Sequence, residues 1–151
     1  MPAIHIRGLG LVSSYGRGVA CAVEGMRAGR TGITPLTLFS LPFQNQIQVN
    51  QFDHTPFPPG AACATSTMVA VAQEALSEAQ LDADALHDAA LVVGSSSFLF
   101  AGEAEYWRTL ADSGEAVMPP LTPPGQAALR VAGQLGIEGP VLTLTTACSS
   151  S

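Results

Sequence analysis

The sequence predicts an α/β protein with a mostly parallel sheet covered by helices. Three observations carry this. Ala89-Ala90-Leu91-Val92-Val93 is a fully apolar run of strand length, as expected of a central parallel strand buried on both faces. Val141-Leu142-Thr143-Leu144-Thr145-Thr146 is a second apolar, β-branched run. Helical patterns stand before and between these runs, so the order reads strand, helix, long loop, helix, strand, helix, helix, strand.

In chain order, Ile4 to Val12 reads as a short first strand, with Gly8 and Gly10 where backbone must approach a neighbour closely. Ser13-Ser14-Tyr15-Gly16 is a turn. Val19 to Ala28 is a helix with Val19, Val23 and Met26 on one stripe, ended by Gly29, Gly32 and Pro35. Residues 36–60 are irregular apart from the alternating Ile47-Gln48-Val49-Asn50. Ala61 to Ala79 is the clearest helix, rich in strong helix formers. Met68, Val71, Ala72, Ala75 and Leu76 form its apolar face and Glu74 and Glu78 the opposite one. Leu81-Asp82-Ala83-Asp84 closes it. Gly94-Ser95-Ser96-Ser97 is a polar turn after the apolar strand. Ala101 to Ala111 reads as a helix carrying Tyr106, Trp107 and Leu110. Four prolines in residues 117–124 make an extended connection. Gly125 to Leu135 is a helix through Ala128, Leu129, Val131, Ala132 and Leu135, with Gly136 as its C-cap. Gly139-Pro140 turns the chain into the last strand.

The 151 residues carry a net charge of −6, are 47% hydrophobic and only 12% charged. That is about half the ~25% charged fraction of a typical domain. All six basic residues are Arg. The balance excludes a nucleic-acid binder, which needs a basic patch, and a disordered tail. No run reaches the ~18–20 apolar residues of a membrane span, and the start lacks a signal-peptide pattern. So apolar and weakly charged a surface calls for a covering partner. Three dispersed cysteines argue for a reducing compartment, here the cytoplasm. No CxxC pair or His cluster supports a metal site, and no cofactor is expected.

Two motifs fail on inspection. Gly8-Leu9-Gly10 lacks the third glycine of a dinucleotide fingerprint, since that position is Ser13, and position 30 is Arg rather than a ribose-binding acid. Gly94-Ser95-Ser96-Ser97-Phe98 fails the G-x-S-x-G nucleophile elbow at Phe98. It remains a loop at the carboxyl end of a strand, where α/β sheets bind ligands. Cys21 and Cys63, each in an Ala-rich helical context, read as small buried hydrophobes.

Cys148 differs, because an apolar strand delivers it into a run of small residues. A helix starting there would lower the thiol pKa and offer free N–H groups to an oxyanion. The thiolate is the nucleophile, but such chemistry also needs a base. His5, His54 and His87 have no visible pairing with the cysteine, so catalytic and structural readings of Cys148 stand side by side on the residues alone.

The segment Gly139-Pro140-Val141-Leu142-Thr143-Leu144-Thr145-Thr146-Ala147-Cys148-Ser149-Ser150-Ser151 resembles the active-site segment of β-ketoacyl synthases, the condensing enzymes of fatty-acid and polyketide synthesis. Its triple serine is similar to the polyketide type. The likeness extends along the chain, in order: Ile6 to Gly16, Met26 to Ile33, Ala72 to Asp82 and Leu91 to Ser97. It implies a thiolase-like fold, of which residues 1–151 are the amino-terminal half. It implies acylation of Cys148 by a thioester donor on acyl carrier protein, then decarboxylative Claisen-type condensation with a malonyl extender. By position, Ser97 and Phe98 resemble the pocket-gating segment, and Met118 lies where the family often has an aromatic beside the acyl channel. The family's further His, Asn and Lys residues lie well after the nucleophile and are not in this sequence, so activity is expected only with a second half. The resemblance also implies a homodimer or a heterodimer with another ketosynthase-type chain, through the strand before the nucleophile. A non-catalytic scaffold or chain-length partner is the alternative, against which the presence of Cys148 counts. An initiating-type ketoacyl synthase acting on CoA thioesters is a third.

Overall fold

The computed structural model describes residues 3–37, 47–53, 56, 61–95, 110, 112–114 and 124–146. Their contacts divide the chain into two compact units, Met1–Pro56 with Ala70–Gln80, and Phe57–Val69 with Leu81–Ser151.

The first unit opens with a hairpin. Strand β1 (Val12–Ser13) pairs antiparallel with β2 (Gly16–Arg17), and Ser14-Tyr15 is the turn between them. Gly16 has φ 123° and Gly18 φ 100°, which L side chains rarely adopt. Helix α1 (Val19–Arg27) follows and buries Ala22 and Gly25. Of the expected stripe, Val19 and Val23 are half-buried and Met26 is exposed. The Tyr15 ring explains the shift. It lies against Gly25, where a side chain would collide with it, and its hydroxyl donates to the Arg30 carbonyl at 3.1 Å. Strand β3 (Ile33–Pro35) pairs antiparallel with β4 (Gln48–Asn50). The sequence pattern marks β4, but assigns Pro35 only to the end of a helix.

The expected first strand over Ile4–Val12 is corrected by the structure. Only Val12 belongs to a strand, and the residues before it run beside helix α2 (Ala61–Ala79). A Cβ at Gly8 would meet the Ala75 carbonyl, and one at Gly10 the Val71 carbonyl. The amides of Leu9 and Leu11 are taken by Glu78 and Glu74 of that helix, not by a neighbouring strand. Ile4 and Ile6 are consequently 97% and 82% exposed. Helix α2 has the expected bounds. It ends at Gln80, whose left-handed φ of 55° lets its amide bond the Ser77 carbonyl at 3.2 Å. The expected apolar face is only half-buried, and the buried side chains are Thr65, Val69, Ala70 and Ala79.

In the second unit, a short helix α3 (Ala83–His87) starts where the sequence suggested only a closing turn. Asp82 makes it possible by accepting the Ala85 amide at 2.9 Å, as an N-cap should. Strand β5 (Leu91–Gly94) then pairs parallel with β6 (Val141–Leu144), in register Leu91↔Val141 to Gly94↔Leu144. Helix α4 (Pro124–Leu135) lies between them in sequence and packs on both. It starts at proline, whose missing amide costs nothing at that position, and ends at Gly136 with φ 72°. Its Ala128, Val131 and Ala132 are buried, as the sequence pattern predicts, but Leu129 is exposed. Of the helix expected over 101–111, Leu110 is helical and accepts the Gly114 amide at 3.0 Å; Tyr106 and Trp107 lie outside the described residues.

The parallel pair is covered on one face only. Val93 is buried, whereas Val92 and Leu142, paired in register, are 60% and 53% exposed. The expectation of burial on both faces therefore fails for these residues. Among the described residues one two-stranded sheet is parallel and two are antiparallel.

Two glycines give opposite expectations. Gly8→Ala drives a Cβ into helix backbone and should cost about 1–3 kcal/mol, the usual range for overpacking. Gly133→Ala, inside α4 with nothing within 4 Å of the new Cβ, should instead stabilise by about 0.5–1 kcal/mol. Urea unfolding of the two variants checks both signs.

Candidate functional site

The expected nucleophile Cys148 and the expected pocket residues Ser97, Phe98 and Met118 all lie outside the described residues. So does His54. The framework that leads into two of those segments is described. Strands β5 and β6 are parallel and level, with Gly94 opposite Leu144. The pairing continues one step further, since the Ser95 amide donates to the Leu144 carbonyl at 2.9 Å. At the other end the Leu91 amide donates to the Pro140 carbonyl, also at 2.9 Å. Ser97 is the third residue after Gly94, and Cys148 the fourth after Leu144. The two chain segments thus leave the same edge of the sheet, from strands about 4.8 Å apart. This carboxyl edge is where α/β sheets place their chemistry, because the loops there are free to vary while the strands hold their roots.

Neither strand carries an ionisable side chain. Among the described residues a group of ionisable side chains meets at the opposite, amino-terminal edge. There His87 Nδ1 lies 3.0 Å from Asp88 Oδ1, and its Nε2 lies 3.2 Å from Glu138 Oε2. The His87 carbonyl accepts the amides of Glu138 and Gly139 at 3.0 and 3.1 Å. Gly139 is required at this point, since a Cβ would meet the Ala89 carbonyl. His87 thus joins the two strand starts, and a four-residue strand separates it from the carboxyl edge by roughly 10–13 Å at ~3.3 Å per residue. It stands at the end of the pair opposite the carboxyl ends of β5 and β6. His5 is exposed on the amino-terminal segment of the first unit.

A notch of about 340 Å³ runs along β6 and the start of α4, lined by Gly125, Leu129, Val141, Thr143 and Thr145. Its wall is apolar and hydroxyl-bearing, without charge. In the first unit an open cleft of about 880 Å³ is walled by Leu9, Arg17, Val19, Val23, Glu74 and Glu78, among others. It contains neither Cys nor His.

Cys21 departs from expectation. It is exposed, because α1 turns Ala22 and Gly25 inward and leaves its neighbour outside. Arg27 and Arg30 are exposed, and the Arg30 guanidinium sits 6.0 Å from the centre of the Tyr15 ring. Glu74 and Glu78, which the pattern places on the face opposite the apolar one, accept backbone amides. Their spacing of four on a helix was visible, but no local signal tells which extended segment they hold. Among the described residues no three His, Cys, Asp or Glu side chains gather as a metal site, and no helix is long and apolar enough to cross a membrane.

Comparison with known proteins follows the same lines. The whole chain, residues 1–151, matches the family model described as the β-ketoacyl synthase, N-terminal domain. Solved structures also match, in 25 chains. One, titled the ishigamide ketosynthase/chain length factor, superposes with a TM-score of 0.69 at 25% identity, over 93% of this chain. This chain spans only 39% of the length of that one. No curated protein matches. A fold shared with a ketosynthase relative, and a family match along the full sequence, make this chain a member of the β-ketoacyl synthase family, matched through its N-terminal domain.

Proposed function

We propose that the chain is the nucleophile-bearing part of a condensing enzyme of fatty-acid or polyketide synthesis. The observation that carries this reading is the level parallel pair β5 and β6, whose shared carboxyl edge is the root of both Ser97 and Cys148. The Cys148 thiolate attacks the carbonyl of an acyl thioester on acyl carrier protein, and the carrier thiol leaves. A malonyl thioester then loses carbon dioxide, and the resulting enolate attacks the acyl-enzyme. Cys148 is released and a β-ketoacyl thioester two carbons longer departs. Ser97, Phe98 and Met118 bound the acyl channel in this reading. No described histidine stands at the carboxyl edge, so the bases that steer decarboxylation come from a second half of the enzyme. The protein works in the cytoplasm, paired with itself or with another ketosynthase-type chain. Acyl carrier protein is acidic and favours a basic surface, of which this chain, with six arginines and a net charge of −6, offers little beyond the small pair Arg27 and Arg30.

One observation favours a second reading. The neighbour's title names both a ketosynthase and a chain length factor, so a chain-length partner is a real competitor to a condensing subunit. Incubating the complete assembly with an acyl thioester and weighing the Cys148 peptide separates them. A condensing subunit gains the acyl mass on Cys148, and Cys148→Ala abolishes it. An unmodified wild-type peptide supports the partner role.

His87→Ala supplies a second check. The residue lies at the amino-terminal edge in exposed ion pairs that contribute little to stability. The variant should therefore acylate Cys148 within about twofold of the wild-type rate. A loss of a hundredfold or more, as expected for removal of a general base, would overturn the assignment of the catalytic edge.

A further inference from the structure

Strands β5 and β6 meet in a register that their apolar side chains do not dictate. On β6, Val141 and Thr143 line the notch along α4 and are half-buried. Leu142 and Leu144 alternate with them and are exposed. A shift of one residue would exchange the two faces and turn the leucines toward α4. Among the described residues, burial therefore does not select the observed pairing of Leu91↔Val141 to Gly94↔Leu144.

The backbone at the amino-terminal edge does select it. The His87 carbonyl accepts two successive amides, those of Glu138 and Gly139, at 3.0 and 3.1 Å. The next carbonyl along, that of Pro140, accepts the Leu91 amide at 2.9 Å and so begins the ladder. A Cβ at position 139 would collide with the Ala89 carbonyl and crowd that of Asp88. Gly139 is flanked by Glu138 and Pro140. A slip of one residue in either direction therefore brings a Cβ to the place where there is room for none. If the slip brings Pro140 there, the clamp also loses a donor, because proline has no amide hydrogen.

We propose that Gly139 is a positioning residue. Clamped on the His87 carbonyl, it sets the register of β6 on β5, and through it the level from which the chain runs on to Cys148 relative to the segment of Ser97. The consequence for Cys148 rests on the condensing reading above. A slip of one residue would move that level by ~3.3 Å. A misplacement of about 1 Å is enough to cost a reacting group roughly a hundredfold in rate.

Gly139→Ala in the complete assembly tests the proposal. Glu138→Pro, which removes the other clamped amide without adding a Cβ at position 139, is the second variant. Gly133→Ala, inside α4 with nothing within 4 Å of the new Cβ, is the control. Hydrogen exchange is read residue by residue at Leu91 and Ser95, whose amides bond Pro140 and Leu144 at the two ends of the ladder. In both variants these two amides exchange faster together, by about tenfold, and the Val131 amide inside α4 keeps its wild-type rate. A rise at Leu91 alone would overturn the proposal, because the turn would fray without moving the ladder. An equal rise at Val131 would overturn it too, because the unit would merely be less stable. Acylation of Cys148 gives the second readout. With Gly139→Ala the rate constant at saturating acyl thioester falls at least about tenfold, while the half-saturating concentration stays within about twofold. The control changes neither. A variant that acylates fewer chains at the wild-type rate constant has lost folded protein and not position, and that result defeats the positioning role. A wild-type assembly that gains no acyl mass on Cys148 defeats the condensing reading instead, and amide exchange still decides the register.

Discussion

Parallel pairing between Leu91–Gly94 and Val141–Leu144 is the constraint on which the second unit depends. Parallel strands cannot be joined by a hairpin, and the chain must travel back across the sheet before the second strand can start. Here that return includes α4, which packs Ala128, Val131 and Ala132 against the strands it joins. Small residues on the helix favour close packing, and Val93 of the strand and Val131 of the helix are both buried. The amino-terminal edge is then secured by backbone, with the His87 carbonyl holding two amides of the turn before β6. At the carboxyl ends the pairing extends to Ser95, whose amide donates to the Leu144 carbonyl at 2.9 Å.

Among the described residues the other face of the same pair is apolar and exposed. Val92, Leu142 and Leu144 stand on it without a charged neighbour in either strand. Parallel sheets are stable when both faces are covered, because each strand is apolar throughout.

Much of the architecture was legible locally. Helix α2 followed from nineteen residues of good helix formers, and α4 from the spacing of Ala128, Val131, Ala132 and Leu135. Strands β5 and β6 followed from apolar and β-branched runs between turn residues. The misreadings share one cause. Ile4 to Leu11 looks like a strand because its composition is that of a strand, but it finds helix carboxylates in place of strand amides. Ile33–Pro35 looks like the end of a helix and becomes a strand because β4 lies beside it. Cys21 looks buried by type and is exposed because its helix is turned by Tyr15 against Gly25. In the first two cases the deciding partner lies in another element, and in the third it lies in the turn just before the helix.

The sequence by itself determined the family, because that rests on ordered local motifs along the chain. It also determined most helix and strand positions, through periodicity that needs no tertiary information. Only the tertiary structure decided which strands run side by side, which of their faces is covered, and which edge carries the histidine. Those depend on register and on helix orientation, set by contacts between residues tens of positions apart. The clearest case is Glu74. A helical glutamate is a solvated charge by every local rule, and three-dimensional proximity to the amides of Leu11 and Val19 makes it a fastener.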